Sequence, residues 1–345
     1  MIEKKLSIVD IANKLNISKT TVSFILNGRA KEKRISEELV EKVLKFVEEV
    51  GYKPNSLAKS LRTGKSNIIG LMVENIADHF FSNIARYIED RAYKNGYRII
   101  YCSTDNDAAK TKELIAMFRD RHVDGYIIAP PPGVENDIAA LIKDELPVVL
   151  FDRYFPDVES SYVVIDNLEA TYNATRYLIE QGYKNIAFIT FESQQTQLQA
   201  RMEGYNKALK EHKMQPHIKE LVFNEDAQSI IEPITEFIKE NKNFDAVLFG
   251  TNRIGVCGLK VLNEQGVKIP ADVAVISFDD YEVFELHSPP VTAIAQPIEA
   301  IADKLITILL NELNTPAANR KNEQVVLKSE LRVRGSSSVG VKANK

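Results

Sequence analysis

The chain has 345 residues, 44% of them apolar and 27% charged, which fits a soluble globular protein of two or three domains and is too long for one small core. No apolar run approaches the roughly 20 residues of a membrane span. The start, Met1 to Leu6, has no apolar stretch behind it, so neither a membrane nor secretion is expected and the cytoplasm is the expected location. The net charge of -4 conceals a basic head: residues 1–65 carry 14 Lys and Arg against 8 Asp and Glu, a balance of +6, which leaves -10 on the rest. A basic head on an acidic body suits contact with phosphates.

Three short helices are predicted in the head. Ile8, Ile11, Ala12 and Leu15 fall at i, i+3, i+4 and i+7, and Ser7 caps this first helix with Asp10 three residues on. Asn16-Ile17 makes a short turn. Ser18 caps the next helix, which runs to about Leu26 and stops at Asn27-Gly28. A third starts at Ser36, has Glu37 and Glu38 in its positive first turn, and is expected to bury Leu39, Val43, Phe46 and Val50. This is helix-turn-helix spacing, in which the second helix lays its N-terminal side chains on base edges in the major groove. Lys19, Thr20 and Ser23 would read bases, with Phe24 one turn on, while Ser18 and Thr21 suit phosphates.

Pro54 interrupts the third helical region, and Asn55 can cap two further turns, Ser56 to Arg62, ended by Thr63-Gly64. Lys53, Lys59, Arg62 and Lys65 surround Leu57 and Leu61 there, a composition suited to a minor-groove wedge with basic neighbours.

From residue 66 short apolar runs alternate with helical stretches. The runs are 68–73, 98–102, 126–129, 148–151, 186–190, 246–250 and 273–278. The helices fall near 80–95, 107–120, 168–181, 199–212 and 254–265. Such alternation, met twice, predicts two doubly wound parallel sheets with helices on both faces, and ligands in such sheets bind beyond the carboxyl ends of strands. The strand-end residues Phe80, Phe81, Asp152, Arg153, Arg201, Asn252, Arg253 and Asp279 are therefore the candidate site, with Gln296 on a crossover. Carboxylates accept from hydroxyls, Arg offers a fork of donors, and aromatic faces cover apolar sugar faces. Arg201 follows the polar stretch Gln194–Gln199 and has no evident partner in the sequence. Residues 296–314 read as a crossover helix, Gln324–Arg334 as one late strand, and 336–345 as a frayed polar tail. The domains are thus 1–50, 51–65, 66–335 and the tail.

The chain resembles the lactose-repressor (LacI/GalR) family of bacterial transcription regulators. The resemblance rests on Ile11-Ala12, Thr21-Val22-Ser23, Leu26-Asn27-Gly28, Gly51–Asn55 and Ala58–Thr63, and continues through Ile69–Leu71, Asp124-Gly125, Val163–Asn167, Arg201–Tyr205, Phe278–Asp280 and Gln296-Pro297. It implies an all-α helix-turn-helix head on an α/β body of two periplasmic-binding-protein-like subdomains. It also implies a homodimer on pseudo-palindromic double-stranded operator DNA, with Leu61 as wedge, Lys59 beside it and Leu57 packing hinge on hinge. Arg201, Asn252 and Asp279 match the family's polar ligand contacts, and Phe80 and Asp152 match first-half contacts. Asn27, in the matching Leu-Asn-Gly, belongs with the DNA-binding set. Two departures concern what is read: Phe24 stands where the family often has Arg, and the basic loop Arg29–Ile35 is about three residues longer than usual. Phe cannot make the bidentate guanine contact of Arg; it can meet a thymine methyl or pack. The effector expected is a sugar or sugar derivative; Arg253 stands where the family usually has an acid, and with Arg153 and Arg201 it suggests a positive cleft that would add a uronate or sugar phosphate to the candidates.

The competing functions are a sugar-binding protein of transport type, against which the DNA-reading head argues, and an enzyme. The five histidines show no metal-ligand spacing, and there is no P-loop, dinucleotide turn or nucleophile elbow, so neither catalysis nor a cofactor nor a metal is expected.

Overall fold

The computed structural model describes residues 6–52, 64–223, 226–241 and 243–338. The chain separates into two compact units, Met1–Ser66 and Asn67–Lys345. The expected hinge helix, with Leu57, Lys59 and Leu61, lies outside the described residues.

In the head, α1 (Ile8–Leu15) opens with a reciprocal cap: the Asp10 amide donates to Ser7 Oγ, and the Ser7 amide donates to the Asp10 carboxylate at 2.8 Å. Asn16, in the left-handed region at φ 52°, ends it. Next, α2 (Lys19–Leu26) starts at Ser18, whose Oγ accepts from the Thr21 amide at 2.9 Å. The third helix, α3 (Glu37–Glu49), is capped by Ser36. Ile11, Ala12, Val22, Ile25, Ala30 and Val43 form the core. Of the four residues expected to be buried on α3, Val43 alone is fully so; Leu39 and Phe46 are partly covered, because three short helices have too little surface to enclose every apolar side chain.

The body has two halves. The first contains β1 (Ile68–Val73), α4 (His79–Lys94), β2 (Arg98–Ser103), α5 (Ala108–Asp120), β3 (Gly125–Ile128), α6 (Glu135–Lys143), β4 (Val148–Phe151) and β5 (Ser161–Ile165). The second contains α7 (Asn167–Glu180), β6 (Ile186–Phe191), α8 (Thr196–Glu211), β7 (His217–Leu221), α9 (Gln228–Glu240), β8 (Ala246–Phe249), α10 (Asn252–Glu264), β9 (Ala274–Phe278), α11 (Glu282–Leu286) and β10 (Thr292–Ala295). The chain then returns to the first half as α12 (Ile298–Asn314), followed by β11 (Gln324–Leu327) and β12 (Glu330–Arg332).

Both sheets share one winding, β11-β5-β4-β3-β1-β2 and β12-β10-β9-β8-β6-β7, and only the β10–β12 pair is antiparallel among the described strands. The central strands β3, β4, β6, β8 and β9 are buried along their whole length, which is why they read as predominantly apolar runs, interrupted only by Thr190 in β6 and Ser277 in β9. The edge strand β7 is largely uncovered and its sequence, His-Ile-Lys-Glu-Leu, carries no such signal.

Two expectations are corrected. The single late strand is two strands in different sheets, broken at Lys328-Ser329. The Ser329 amide and hydroxyl both donate to Asp166 Oδ1 at 2.8 Å, pinning the crossing. The tail does not fray at 336: Ser336 and Ser337 are completely buried. Ser336 Oγ donates to the Val275 carbonyl at 2.6 Å and accepts from the Thr292 amide at 2.8 Å, so a polar residue ties together the starts of β9 and β10 in the second sheet. No helix among the described residues is long and apolar enough to cross a membrane. Because Ser336→Ala leaves a buried donor and a buried acceptor unpaired, it should destabilise the body by about 2 kcal/mol, read as a lower urea midpoint; an unchanged midpoint would contradict this placement.

Candidate functional site

On the head, α2 exposes Lys19 and Thr20 at its N-terminal end, beside Ser18. The hydroxyls of Ser18 and Thr21 bond each other at 2.8 Å, and Asn27 Nδ2 donates back to the Ser23 carbonyl at 2.6 Å. Phe24 is half-buried and has become a floor for the long loop. Arg29 lies 5.8 Å and Lys33 5.4 Å from its ring centre. Ala30 is buried beneath the loop, and turn bonds from Lys33 to Arg29 and from Ile35 to Ala30 fold it back onto the helix end. Glu32 holds both cations: it takes a two-pronged contact from Arg29 at 2.7 Å and one from Lys33 Nζ at 3.2 Å. The hydrogen bond from Arg29, then that from Lys33, holds the Glu32 carboxyl down at about 2. The loop is therefore less positive than its lysines and arginines suggest.

In the body, the two halves enclose a cleft of about 410 Å³ at the carboxyl ends of their strands, inside the range of about 300–1,000 Å³ usual for small-molecule sites. Asp152 follows β4 and Asp279 follows β9, each after a phenylalanine and each at φ 64°. Aspartate enters this left-handed conformation more readily than most residues. The same turn thus brings one carboxylate from each half to the cleft. Phe-Asp at 151–152 and again at 278–279 is a repeat that could have been noticed in the sequence.

Arg201 lies between these carboxylates and is buried. Its Nε donates to Asn167 Oδ1 and its Nη1 to the Gly250 carbonyl, both at 2.8 Å; Nη1 is 3.7 Å from Asp279; and the guanidinium stacks 3.5 Å from the centre of the Phe278 ring. The apparent lack of a partner in the sequence is thereby corrected. Three residues on, Gly204 lets α8 press against the start of α7, where an added Cβ would stand 2.2 Å from the Leu168 carbonyl oxygen. That close approach brings Arg201 to Asn167.

Opposite, Asp78 caps α4 by accepting from the Phe80 amide at 2.8 Å, and Asn252 Nδ2 reaches its other oxygen at 3.4 Å across the cleft. Phe80 and Phe81 both border the cleft while lying largely in the core; Phe191 and Phe223 border it from the second half. Gln296 does not line the cleft. It donates to Asp279 Oδ1 at 2.6 Å and so orients that carboxylate from behind. Behind it a larger hollow of about 620 Å³ opens, but most of its acids are taken up in ion pairs, Asp280 with Arg332 and Arg334, Glu299 and Asp303 with Arg91.

Arg153 is buried and tied to Glu74 at 2.8 Å, to the Pro130 carbonyl, to Asn106 and to Gln195 Oε1 at 3.2 Å. Gln195 and Gln197, which the sequence reading passed over, line the cleft with it. Among the described lining residues the acids Glu74, Asp78, Asp152, Glu192 and Asp279 outnumber the three arginines. The inferred positive cleft is therefore corrected: two of its arginines are already matched by acids. Burial pushes the Asp152 carboxyl up to about 6 against the pull of Arg153 and Arg201. Burial, then the nearby Asp279, raises that of Asp78, and burial lowers the Arg201 pKa. Cys102 and Cys257 are free thiols. Among the described residues no group of three or more His, Cys, Asp or Glu is placed to hold a metal ion.

A family model described as bacterial regulatory proteins, lacI family, matches residues 7–55, and one described as a periplasmic binding protein-like domain matches residues 175–337. The HTH-type transcriptional regulator RegA of Clostridium saccharobutylicum is 32% identical over 96% of this chain and 99% of its own length. Among solved structures, the lac repressor dimer bound to operator and the anti-inducer ONPF superposes with a TM-score of 0.85, at 22% identity, over 97% of this chain and all of that one. A LacI family transcriptional regulator from Enterococcus faecium with bound ribose superposes with a TM-score of 0.70, at 26% identity, over 79% of this chain and 98% of that one. The head with its exposed helix and the twofold-wound body with its cleft thus have one explanation: the chain belongs to the lacI family of bacterial regulatory proteins and is a DNA-binding transcription regulator.

Proposed function

We propose that the cleft between the body halves holds a small sugar-like effector, and that its binding changes the affinity of a homodimer for a pseudo-palindromic operator. The observation that carries this reading is the pairing of one partly buried carboxylate from each half, Asp152 and Asp279, around the buried guanidinium of Arg201. In this reading Asp152, Arg201, Asn252 and Asp279 hydrogen-bond the effector, Phe80 and Phe81 cover its apolar face, and Gln296 orients Asp279. A ligand that touches both halves binds one arrangement of them better than another, and that difference in affinity is the free energy available to change DNA binding. The bound ribose of the Enterococcus faecium regulator supports a sugar-like ligand.

On DNA, Lys19, Thr20 and Ser23 are proposed to read base edges, with Ser18, Thr21 and Asn27 on the backbone. Lys59, Leu61 and Leu57 keep the roles that the family resemblance assigns to the hinge, and Phe24, where the family often has Arg, is proposed to lie at the DNA while serving as the floor of the loop. Selection of binding sites from a random duplex library with purified protein tests the function. A recovered inverted repeat, bound with an affinity that shifts when a sugar is added, is expected; a library that yields no motif contradicts it.

The loop makes a second prediction. Replacing Glu32 with Gln releases Arg29 and Lys33 from their shared acid, so affinity for the selected site should rise and the salt dependence should steepen by about one unit of log–log slope. Replacing Lys31, Lys33 and Arg34 together with Gln should flatten it. Equal slopes in all three proteins would remove the loop from the interface.

Asp152 gives a pH signature. Its folded carboxyl binds a proton more tightly than the unfolded one, so its contribution to stability grows as pH falls through about 6 and levels off near the ordinary carboxyl range of about 4. Between pH 7 and 5 the melting temperature of the unliganded protein should therefore rise relative to that of Asp152→Asn. Parallel curves for the two proteins would contradict the buried ionised carboxylate.

A further inference from the structure

One buried polar atom beside the cleft has no hydrogen-bond partner among the described residues. Gln197 is 5% exposed and lines both the cleft and a smaller neighbouring hollow that shares Asp152, yet its Oε1, itself almost fully enclosed, accepts no hydrogen bond from any described residue. Its orientation is not arbitrary. Arg153 can only donate, so Gln195 must turn Oε1 towards it, at 3.2 Å; the Gln195 amide nitrogen then donates to Asn106 Oδ1 at 2.8 Å. Gln195 Oε1 also faces Gln197, so Gln197 must present its nitrogen there, at 3.2 Å, and the same nitrogen reaches the Asp152 carboxylate at 3.4 Å. Flipping the Gln197 amide would set its oxygen against two acceptors. The arginine therefore dictates, through two amides, that the group left over beside Asp152 is an acceptor.

We infer that Gln197 is a specificity-determining residue of the cleft, and that its Oε1 takes a hydrogen bond from a hydroxyl of an uncharged, sugar-like effector. The inference rests on the reading of the cleft as the effector site. A buried acceptor that meets no donor carries its full desolvation cost, so a ligand that supplies the donor is favoured over one that does not. A carboxylate or phosphate offers only acceptors, and at this place it would face Gln197 Oε1, Asp152 and the surplus of acids already described. The same surplus rejects the uronates and sugar phosphates that the arginines alone suggested. Gln197 thus reads a donor, Asp152 accepts from a neighbouring one, and Arg201 is left to donate to a ring or hydroxyl oxygen.

The test uses the full chain and a calorimetric panel of neutral aldoses and ketoses, beginning with ribose, together with their uronate, phosphate and mono-deoxy forms. A neutral sugar is expected to bind, its acidic forms to bind at least about tenfold more weakly, and Gln197→Met, matched in length but without the acceptor, to lose about tenfold in affinity. One mono-deoxy analogue should lose as much on the native protein and lose nothing further on Gln197→Met, a coupling that a merely structural role of Gln197 would not produce. The unliganded melting temperature confirms that the variant is folded. Asn252→Ala separates the two claims. If Asn252→Ala abolishes binding while Gln197→Met binds the sugar and every deoxy form as the native protein does, the role of Gln197 is overturned and the cleft stands. If Asn252→Ala leaves binding unchanged, the cleft reading itself fails. Binding by acidic forms alone, or by no neutral member, overturns the inference.

Discussion

A guanidinium buried in a protein interior is tolerable only when both its charge and its donors are met, and the second half of the body is arranged around meeting those of Arg201. Asn167 at the start of α7, the Gly250 carbonyl after β8, Asp279 after β9 and the ring of Phe278 come from separate stretches of chain and converge on one side chain. Gly204 permits the helix contact that delivers it. Removing any one partner would leave charge or polarity stranded, so the arrangement constrains sequence at distant positions together. It also leaves a cation at the junction of two halves, next to a carboxylate from each.

The chemistry of the cleft follows from how its charges are shared out. Arg153 is satisfied by Glu74, Asn106 and Gln195, while Arg201 commits Nε and Nη1 to the groups just named and keeps its remaining donors for a ligand. What faces a ligand is then mostly acceptor: carboxylates, and an amide oxygen whose direction is fixed by the arginine two bonds away. Such a surface is complementary to hydroxyls, with phenylalanines for the apolar face of a ring. The head shows the same economy. Its extended loop looks strongly basic in sequence, yet Glu32 pins two of the cations above Phe24, so charge on this loop is regulated by one acid that counting residues does not single out.

Much of the fold was legible because parallel strands buried on both faces are predominantly apolar. Ile68–Val73 and Val148–Phe151 stand at the expected bounds for that reason. Edge strands escape this rule. His217–Leu221 is half polar and was passed over, and Gln228–Glu240 was masked by Pro233, which ordinarily stops a helix. The exchange of sheets at Lys328-Ser329 and the burial of Ser336 are consequences of tertiary pairing, for which a short polar segment carries no local signal. Within the cleft, the residues at strand ends could be named from the alternation alone. Their charge balance could not, since the partners of Arg153 come from positions 74, 106 and 195, and the orphan acceptor of Gln197 exists only once that network is assembled.

The central claim is that a small ligand joins the two halves at Arg201, not at the larger hollow behind Gln296. Hydrogen–deuterium exchange on the full chain, with and without a saturating sugar, tests it most directly. The account predicts slower exchange in both walls of the cleft at once, across residues 74–81 and 193–202 and at 251–254. Protection confined to residues 282–303, around the other hollow, would contradict it.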